Sequence, residues 1–468
     1  MAFSRSMRLP VCTGIVCAVL LIVIAPFAAS ADQPADEIER KFRLARALAS
    51  KGKFDDELAV LNDILLDKPG NERALLWRGQ ALLRKGYNGL AIKDFTTVLK
   101  TNHNNIKALL LRGQYYARTR EFEKAVPDLT KVIALDPNNN TAYFWRGVSR
   151  AYHFDMQDAH DDFQKSLAIK PTAQAYFSNG ATLVNLDRLD DAVVSYTKTL
   201  SLNPRHGLAY MIRGRCYYNL KNYRKAIKDY SLGMENNKAY WRIFMLRGQA
   251  YEAAGDVEKA RSDFDQASVN EPEFAESFFA PSIEKSMTEV YRARSKKRAA
   301  QTESLITEAF KLRGKHDYEG AVRLLTKAID LNPEDISPRL WRGRVFLDAH
   351  RYDDALEDFH MIVHSADLAA DQVNKLCGLA FFGKKDYPRA LCACNASLFW
   401  DQDWLSGYFY KAAALEALNR KKEALVAYKR FLEGLKNPKA VKRSGESKTD
   451  LEKQEKVART IVERAEHK

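Results

Sequence analysis

Ala142-Tyr-Phe-Trp-Arg-Gly-Val-Ser-Arg-Ala-Tyr152 opens a pattern that the rest of the 468-residue chain repeats. The pattern continues with Asp158-Ala-His-Asp-Asp-Phe163 and closes with Leu167-Ala-Ile-Lys-Pro171. Its central glycine recurs at steps of 33 to 35 residues, at Gly79, Gly113, Gly147, Gly180, Gly214 and Gly248, and again at Gly343 and Gly378. A fixed period of this length is typical of a stacked repeat protein and not of a single globular core.

Each repeat is predicted to form two short helices in a hairpin. A second small residue stands twelve positions after each glycine, and apolar residues recur three and four positions apart around both sites. Glycine costs about 1 kcal/mol in a helix interior, so we expect it to permit close approach of the alanine on the second helix. A large residue follows the alanine and is predicted to fill the hairpin interior, at Phe95, Phe163, Tyr196, Tyr230, Phe264, Phe359 and Tyr428.

This pattern resembles the tetratricopeptide repeat, a two-helix unit with small residues at its eighth and twentieth positions and proline near its thirty-second. The resemblance implies an all-α protein, an α-solenoid built as a right-handed superhelix of antiparallel two-helix hairpins. Eleven repeats, numbered 1 to 11 here, begin near Ile38, Glu72, Ile106, Asn140, Ala173, Gly207, Trp241, Thr302, Ile336, Asp371 and Leu405.

A charged pair also repeats within the chain. An arginine precedes the glycine in six repeats, and the same six carry an aspartate sixteen residues after that arginine. The other five repeats have neither member. Losing one partner of a buried ion pair costs about 3–5 kcal/mol, whereas replacing both is far less harmful, so this pattern indicates structural ion pairs between the helices of a hairpin. The predicted pairs are Arg78–Asp94, Arg112–Asp128, Arg146–Asp162, Arg213–Asp229, Arg247–Asp263 and Arg342–Asp358.

The chain divides into five predicted segments. Residues 1–31 combine Arg5 and Arg8 with an apolar run from Val11 to Phe27 and the small residues Ala29-Ser30-Ala31, as in a secretory signal peptide. An uncleaved membrane anchor is the alternative for that run. Residues 38–274 are predicted to form an N-terminal array of about seven repeats, 275–301 a basic helical insertion, 302–438 an array of about four repeats, and 439–468 a charged capping helix or tail.

The cysteines and histidines do not predict a metal or redox site. Cys377 and Cys394 occupy core positions of one hairpin, where we expect reduced thiols; a Cys377–Cys394 disulfide is the alternative in an oxidising compartment. One residue separates Cys392 from Cys394, which is not a zinc or redox spacing. His360 and His364 lie four apart without a third ligand nearby. We therefore expect no metal and no cofactor.

Sequence signals for catalysis are missing. The chain has no phosphate-binding glycine-rich loop, no Gly-x-Ser-x-Gly and no His-Glu-x-x-His, and the repeats occupy nearly all of it. We therefore expect a non-enzymatic protein that binds a partner through the concave groove lined by the first helices of the repeats. The residues assigned to that groove are Arg73, Leu76, Arg84, Lys107, Leu110, Arg118, Phe144, Phe177, Met211, Arg215, Arg242 and Met245.

The groove has two interpretations. An apolar floor with cationic edges suits a peptide that carries acidic residues. Alternatively, several of the apolar residues pack between neighbouring repeats and the arginines form a solvated rim. The net charge of +14 favours an acidic protein or peptide, an anionic lipid surface or an anionic envelope polymer.

Three functional hypotheses follow from these features. The first is an exported scaffold or adaptor, in the periplasm or cell envelope or secreted, that binds a protein or peptide and no nucleic acid. The second is a holdase or co-chaperone of the periplasm or the endoplasmic reticulum lumen, although the His-Pro-Asp triplet of a J domain is missing. The third is an organiser at a membrane surface, anchored by an uncleaved helix over residues 11–27.

Overall fold

The computed structural model describes residues 34–236, 242–270, 296–333, 335–362, 370–444 and 446–466. These ranges contain 24 α-helices and no strand, as an all-α solenoid of hairpins requires. The predicted signal peptide, residues 1–31, lies outside the described residues, as does most of the predicted insertion at 275–301.

The helices of the first seven repeats alternate as first and second members of hairpins. Their bounds are α1 Pro34–Ser50, α2 Phe54–Asp67, α3 Glu72–Lys85, α4 Asn88–Thr101, α5 Ile106–Arg118, α6 Phe122–Leu135, α7 Asn140–Tyr152, α8 Met156–Ile169, α9 Ala173–Asn185, α10 Leu189–Leu202, α11 Gly207–Asn219, α12 Tyr223–Asn236, α13 Arg242–Ala253 and α14 Val257–Asn270.

The later repeats and the C-terminal segment supply ten more helices. Their bounds are α15 Lys296–Gly314, α16 Tyr318–Leu331, α17 Ser337–Asp348, α18 Tyr352–Ile362, α19 Ala370–Gly383, α20 Tyr387–Trp400, α21 Leu405–Ala417, α22 Lys421–Leu435, α23 Pro438–Ser444 and α24 Lys448–Glu466.

Two compact units make up the chain, residues 1–115 and 116–468, with the boundary inside α5. Each is described by itself below. The first unit contains the hairpins α1–α2 and α3–α4, and the second contains the hairpins from α7–α8 onward.

The glycines and the large aromatic residues fit together inside the hairpins. A Cβ atom added at Gly180 would lie 2.8 Å from Cζ of Tyr196, and one at Gly147 would lie 3.0 Å from Cε1 of Phe163. The closest atoms are thus those of the aromatic ring, and the carbonyl oxygen of Ala159 follows at 3.2 Å from the Gly147 position. The sequence predicted the alanine as the neighbour; instead, the glycine chiefly makes room for a ring too large to share the space with a methyl group.

The four cysteines among the described residues are free and buried, Cys216, Cys377, Cys392 and Cys394. No disulfide joins Cys377 to Cys394 in the described structure. Burial raises the pKa of the Cys394 thiol to about 12, so this thiol stays protonated and unreactive at neutral pH.

The last helix covers the end of the second unit. Helix α24 packs on α22 and α21 through Leu451, Ala458 and Val462, which are buried. On the same helix, Ile461 is half-buried and Ala465 is exposed. A narrow apolar stripe suffices because one face of the last hairpin is all that it covers.

Candidate functional site

A bidentate ion pair joins the two helices of several hairpins. Arg146 donates from Nε and Nη2 to the carboxylate of Asp162, at 2.9 and 2.6 Å, and the Asp162 side chain is 4% exposed. A planar guanidinium matches a carboxylate in this geometry. The same two-bond arrangement joins Arg78 to Asp94, Arg213 to Asp229, Arg247 to Asp263 and Arg342 to Asp358.

Each arginine also reaches the preceding repeat, which the sequence analysis missed. Arg146 Nη1 donates to Thr130 Oγ1 at 3.2 Å, sixteen residues earlier in the chain. The sequence could have indicated this contact, because a small polar residue stands sixteen positions before each of these arginines. The equivalent acceptors are Asn62 for Arg78, Thr96 for Arg112, Thr197 for Arg213, Ser231 for Arg247 and Thr326 for Arg342. For the sixth predicted pair, Arg112 lies in the first compact unit and Asp128 in the second, and the pair stays a prediction.

Repeat 5 replaces the ion pair with a neutral network. Asn179 Nδ2 donates to Ser195 Oγ at 3.1 Å, and Asn179 Oδ1 accepts from Nδ1 of His160 at 2.7 Å. Since neither position carries a charge, no unpaired ion is buried where arginine and aspartate are both missing.

The predicted groove residues of the first unit already have partners within the chain. Arg73 Nη1 lies 2.7 Å from a Glu39 carboxylate oxygen, and its guanidinium lies 4.0 Å over the ring of Phe42. Arg84 pairs with Glu57 at 3.2 Å. Both cations therefore have much of their charge satisfied internally. Of the other predicted residues here, Leu76 is buried, Leu110 is half-buried and Lys107 is exposed.

The apolar residues predicted for the groove of the second unit lie mostly in the interior. Phe144, Met211 and Met245 are buried; Phe144 packs with Phe163, and Met211 with Tyr230. These three side chains offer no surface to a partner in this conformation, which matches the packing interpretation. Phe177 is half-buried and stacks on His206 with ring centroids 4.7 Å apart, and Arg118 is exposed.

Arg215, predicted to meet an external partner, binds the chain itself. It is 3% exposed, with Nε 2.9 Å from the carbonyl oxygen of Phe399 and Nη2 2.7 Å from that of Trp400. Asn219 Nδ2 donates to the same Phe399 oxygen at 3.1 Å. The two residues therefore hold the C-terminal end of α20.

Helix α20 lies on the first helices α9 and α11 of repeats 5 and 6. The Phe399 ring packs into a cluster with Leu183 and Tyr196, and Trp400 packs beside Met211. The Arg242 guanidinium lies 5.0 Å over the Trp400 ring. We call this surface the covered face; it comprises Asn185, Met211, Arg215, Asn219 and Arg242.

Further polar contacts surround the covered face. Arg389 Nε donates to Asp155 at 2.9 Å, and Lys411 Nζ lies 2.6 Å from Asp187. Asn395 Nδ2 donates to the carbonyl oxygen of Asn185 at 3.1 Å. Repeats 4 to 6 and repeats 10 and 11 are thus joined at several separate points.

A residue in the left-handed region stands in the turn between the two helices of many hairpins, at Arg120, Phe154, Asp187, Lys221, His316, His350, Lys385 and Asn419. Phe154 has φ of 60° and Asp187 has φ of 61°; this conformation costs a bulky residue such as Phe154 about 1–2 kcal/mol, whereas aspartate tolerates it. Phe154 is buried, with its ring 5.5 Å from that of Phe381, and Asp187 forms the ion pair with Lys411. In repeats 4 and 5 the residue at this turn position therefore contacts the C-terminal repeats.

Repeats 8 and 9 have a pocket on the face of their first helices that corresponds to the covered face of repeats 5 and 6. A cavity of about 750 Å³ is lined by Phe310, Arg313, Trp341, Leu347 and Asp348, with His316, Tyr318 and His350 around it. We call it the open pocket.

Aromatic and polar groups in the open pocket are held in fixed positions. Phe310 is 36% exposed and meets Trp341 edge-on, with ring centroids 4.3 Å apart. Arg313 Nε donates to Asp348 at 2.5 Å. The Arg344 guanidinium lies 4.7 Å over the Trp341 ring. The pocket therefore presents an aromatic pair beside the Arg313–Asp348 ion pair.

The sequence of helix α20 contains a long uncharged segment that the repeat pattern does not explain. From residue 390 to residue 400 it contains no charged residue, and Leu391 through Phe399 are all buried. The second helix α10, by contrast, carries Asp190, Asp191 and Lys198. A helix without a polar face is expected to be buried on every side, which here means contact with a non-neighbouring repeat.

The described residues contain no group of three or more His, Cys, Asp or Glu side chains arranged to hold a metal ion. His364 lies outside them. Of the helices in the ranges that the structure covers, none is both long and apolar enough to span a bilayer.

Comparison with known proteins identifies the repeat. The family described as "Tetratricopeptide repeat" matches residues 42–103, 110–174, 178–234 and 311–370, together more than half of the chain. No curated protein matches the chain significantly.

Several solved structures match parts of the chain. The MamA protein is 23% identical, with 36% of this chain and 94% of that chain covered and a TM-score of 0.35. YrrB, a repeat protein described as having an unusual peptide-binding site, is 22% identical over 38% and 92%, with a TM-score of 0.36. A tetratricopeptide repeat protein from Parabacteroides merdae is 21% identical over 51% and 96%, with a TM-score of 0.39.

Proteins of this family are in general non-catalytic, and stacked repeats provide the extended surfaces with which they bind other proteins. The family match over more than half of the sequence agrees with the hairpins, their packed glycines and their repeated ion pairs. This chain belongs to the tetratricopeptide-repeat family and is a scaffold for protein–protein interaction.

Proposed function

We propose that this protein is an adaptor that binds an acidic peptide segment of a partner protein in the open pocket. The observation that carries the proposal is the difference between two equivalent faces. The covered face is filled by the chain's own α20, whereas the pocket of about 750 Å³ at repeats 8 and 9 leaves the Phe310 side chain exposed.

The chemistry of the open pocket suits such a peptide. Phe310, packed edge-on against the buried Trp341, provides an apolar surface for one aromatic or aliphatic anchor, and aromatic groups of this kind supply much of the binding energy at protein interfaces. Arg313 lines the pocket in an ion pair with Asp348, and the exposed Lys311 and Lys315 adjoin the lining residues Phe310 and Gly314 in the chain. The net charge of +14 adds long-range attraction for an acidic partner.

A library of random twelve-residue peptides displayed on phage tests the proposal. We expect selection on the full chain to enrich peptides that combine Asp or Glu with one aromatic residue. Phe310→Ser with Lys315→Glu should weaken binding of an enriched peptide about tenfold or more, equivalent to about 1.4 kcal/mol.

The matched control is Tyr87→Ser with Arg205→Glu, which changes an exposed aromatic and an exposed cation elsewhere. This control should bind as the unmodified chain does. Enriched peptides that bind the pocket variant and the unmodified chain equally well would show that the binding surface lies elsewhere.

We propose further that the protein acts outside the cytoplasm. Arg5 and Arg8 before the apolar run of residues 11–27, with small residues at 29–31, support removal of a secretory signal. The intact mass of the protein isolated from its host tests this: loss of residues 1–31 is expected. A mass that retains them would favour the anchored form.

A further inference from the structure

We propose that the covered face is a receptor site for the C-terminal end of a helix, occupied here by the chain's own α20. The ligand class is a helix that ends in two consecutive large aromatic residues. This site is separate from the open pocket and does not depend on the function proposed for that pocket.

Recognition of the helix end is chemical and specific. The last carbonyl groups of a helix have no partner within the helix and carry about half a negative charge together. Arg215 and Asn219 donate three hydrogen bonds to two of these carbonyls, those of Phe399 and Trp400. Arg215, which was predicted to bind an acidic partner, therefore binds the negative end of a helix.

The receptor side is held in place by its own residues. Arg215 Nη1 donates to Gln249 Oε1 at 3.1 Å, and its guanidinium lies 4.8 Å over the ring of Tyr218. Both contacts come from repeats 6 and 7 and neither involves α20. A donor pre-oriented in this way loses little freedom when a ligand binds.

Side-chain contacts set the preference for aromatic residues. Phe399 enters the cluster of Leu183 and Tyr196, while Trp400 packs between Met211 and the Arg242 guanidinium. Asn395 adds a hydrogen bond to the backbone one turn earlier. A helix end without the two rings would keep the carbonyl contacts and lose most of the apolar contact.

A labelled peptide can test whether the face acts as a receptor. The probe is a fluorescein-labelled synthetic peptide of residues 387–404, titrated against the full chain by fluorescence anisotropy. The unmodified chain should not bind it, because α20 occupies the face. The variant Phe399→Ala with Trp400→Ala removes the internal anchors and should bind the peptide measurably.

Two controls define specificity. Adding Arg215→Ala to the emptied variant should weaken binding about tenfold or more, whereas adding Arg205→Ala, an exposed arginine, should change nothing. A peptide with alanine in place of Phe399 and Trp400 should not bind. Equal binding to the unmodified chain, or no binding to an emptied variant with native helicity, would overturn the proposal.

Hydrogen exchange provides a second measurement if the emptied variant does not fold. Arg215→Lys retains a charge but lacks the planar fork that reaches both carbonyls. Exchange of the amides at 395–402 should then accelerate about tenfold or more, while exchange around the open pocket stays unchanged. Unaltered exchange at 395–402 would show that Arg215 does not hold the helix end.

Discussion

The covered face and the open pocket use the same positions of the repeat for opposite purposes. Arg215 of repeat 6 and Phe310 of repeat 8 stand at the ninth position, and Tyr218 and Arg313 at the twelfth. Arg215 is 3% exposed and binds helix carbonyls, whereas Arg313 remains 31% exposed and pairs with Asp348. Repeat position alone therefore does not determine whether a side chain belongs to the core or to a binding surface; the rest of the chain decides.

The ion pairs inside the hairpins provide a reference for this comparison, because repeat 6 at the covered face and repeat 9 at the open pocket each contain one. Asp229→Ala in repeat 6 and Asp358→Ala in repeat 9 should each lower the free energy of unfolding by about 3–5 kcal/mol. Each change leaves a largely buried arginine without its partner, Arg213 or Arg342. Urea denaturation would measure the losses.

Removing both members of a pair should cost clearly less than the sum of the single changes, because no charge is then left unpaired. Additive losses would contradict the structural role of the pair. A much larger loss of unfolding free energy in one of the two repeats would mean that their ion pairs cannot serve as a common reference.

Arg215→Ala should destabilise the protein more than Arg313→Ala does. Loss of Arg215 removes the donor to the Trp400 carbonyl and leaves the Phe399 carbonyl with Asn219 alone, and it should cost about 1–3 kcal/mol. Loss of Arg313 breaks a partly exposed ion pair and should cost about 0–1 kcal/mol. Thermal unfolding monitored by circular dichroism would rank the two variants, and equal melting temperatures would refute the distinction.

Acid should weaken the packing of repeat 9 on repeat 4 through His360, whose ring lies against those of His153 and Phe154. Burial, with His153 and Arg389 nearby, lowers the pKa of His360 to about 4, and its Nε2 has no hydrogen-bond partner. The unfolded chain binds this proton near pH 6.5, so stability should fall as the pH drops from about 6.5 to 4, by at most about 3 kcal/mol.

Unfolding free energies measured between pH 7 and pH 4 would show the effect. His360→Phe should flatten the pH dependence in this range, whereas His103→Phe, at an exposed position, should not. The same slope in both variants would assign the acid sensitivity to other groups.

Local features of this fold could be predicted from the sequence. The repeat spacing predicted the hairpins, and the paired occurrence of arginine and aspartate predicted the contacts now seen in five hairpins, such as Arg146 with Asp162. Such features depend on residues within one or two repeats. Helical periodicity and charge pairing are visible at that range.

The covered face could not be predicted in the same way. Arg215 and Phe399 lie 184 residues apart, and their contact depends on the small rotations accumulated over the repeats between them. In a single repeat, Arg215 looks like any solvated cation. Only the uncharged run after Arg389 indicated that α20 needed a distant partner.

The contact between α20 and α11 also limits how this protein can change in length. Solenoids commonly gain or lose whole repeats, since each repeat contacts only its neighbours. Here, duplication or deletion of one repeat between residues 219 and 387 would move the Phe399–Trp400 end away from Arg215. Because Asp155 binds Arg389 and Asp187 binds Lys411, selection acts on a fixed number of repeats over the whole interval from residue 155 to residue 411.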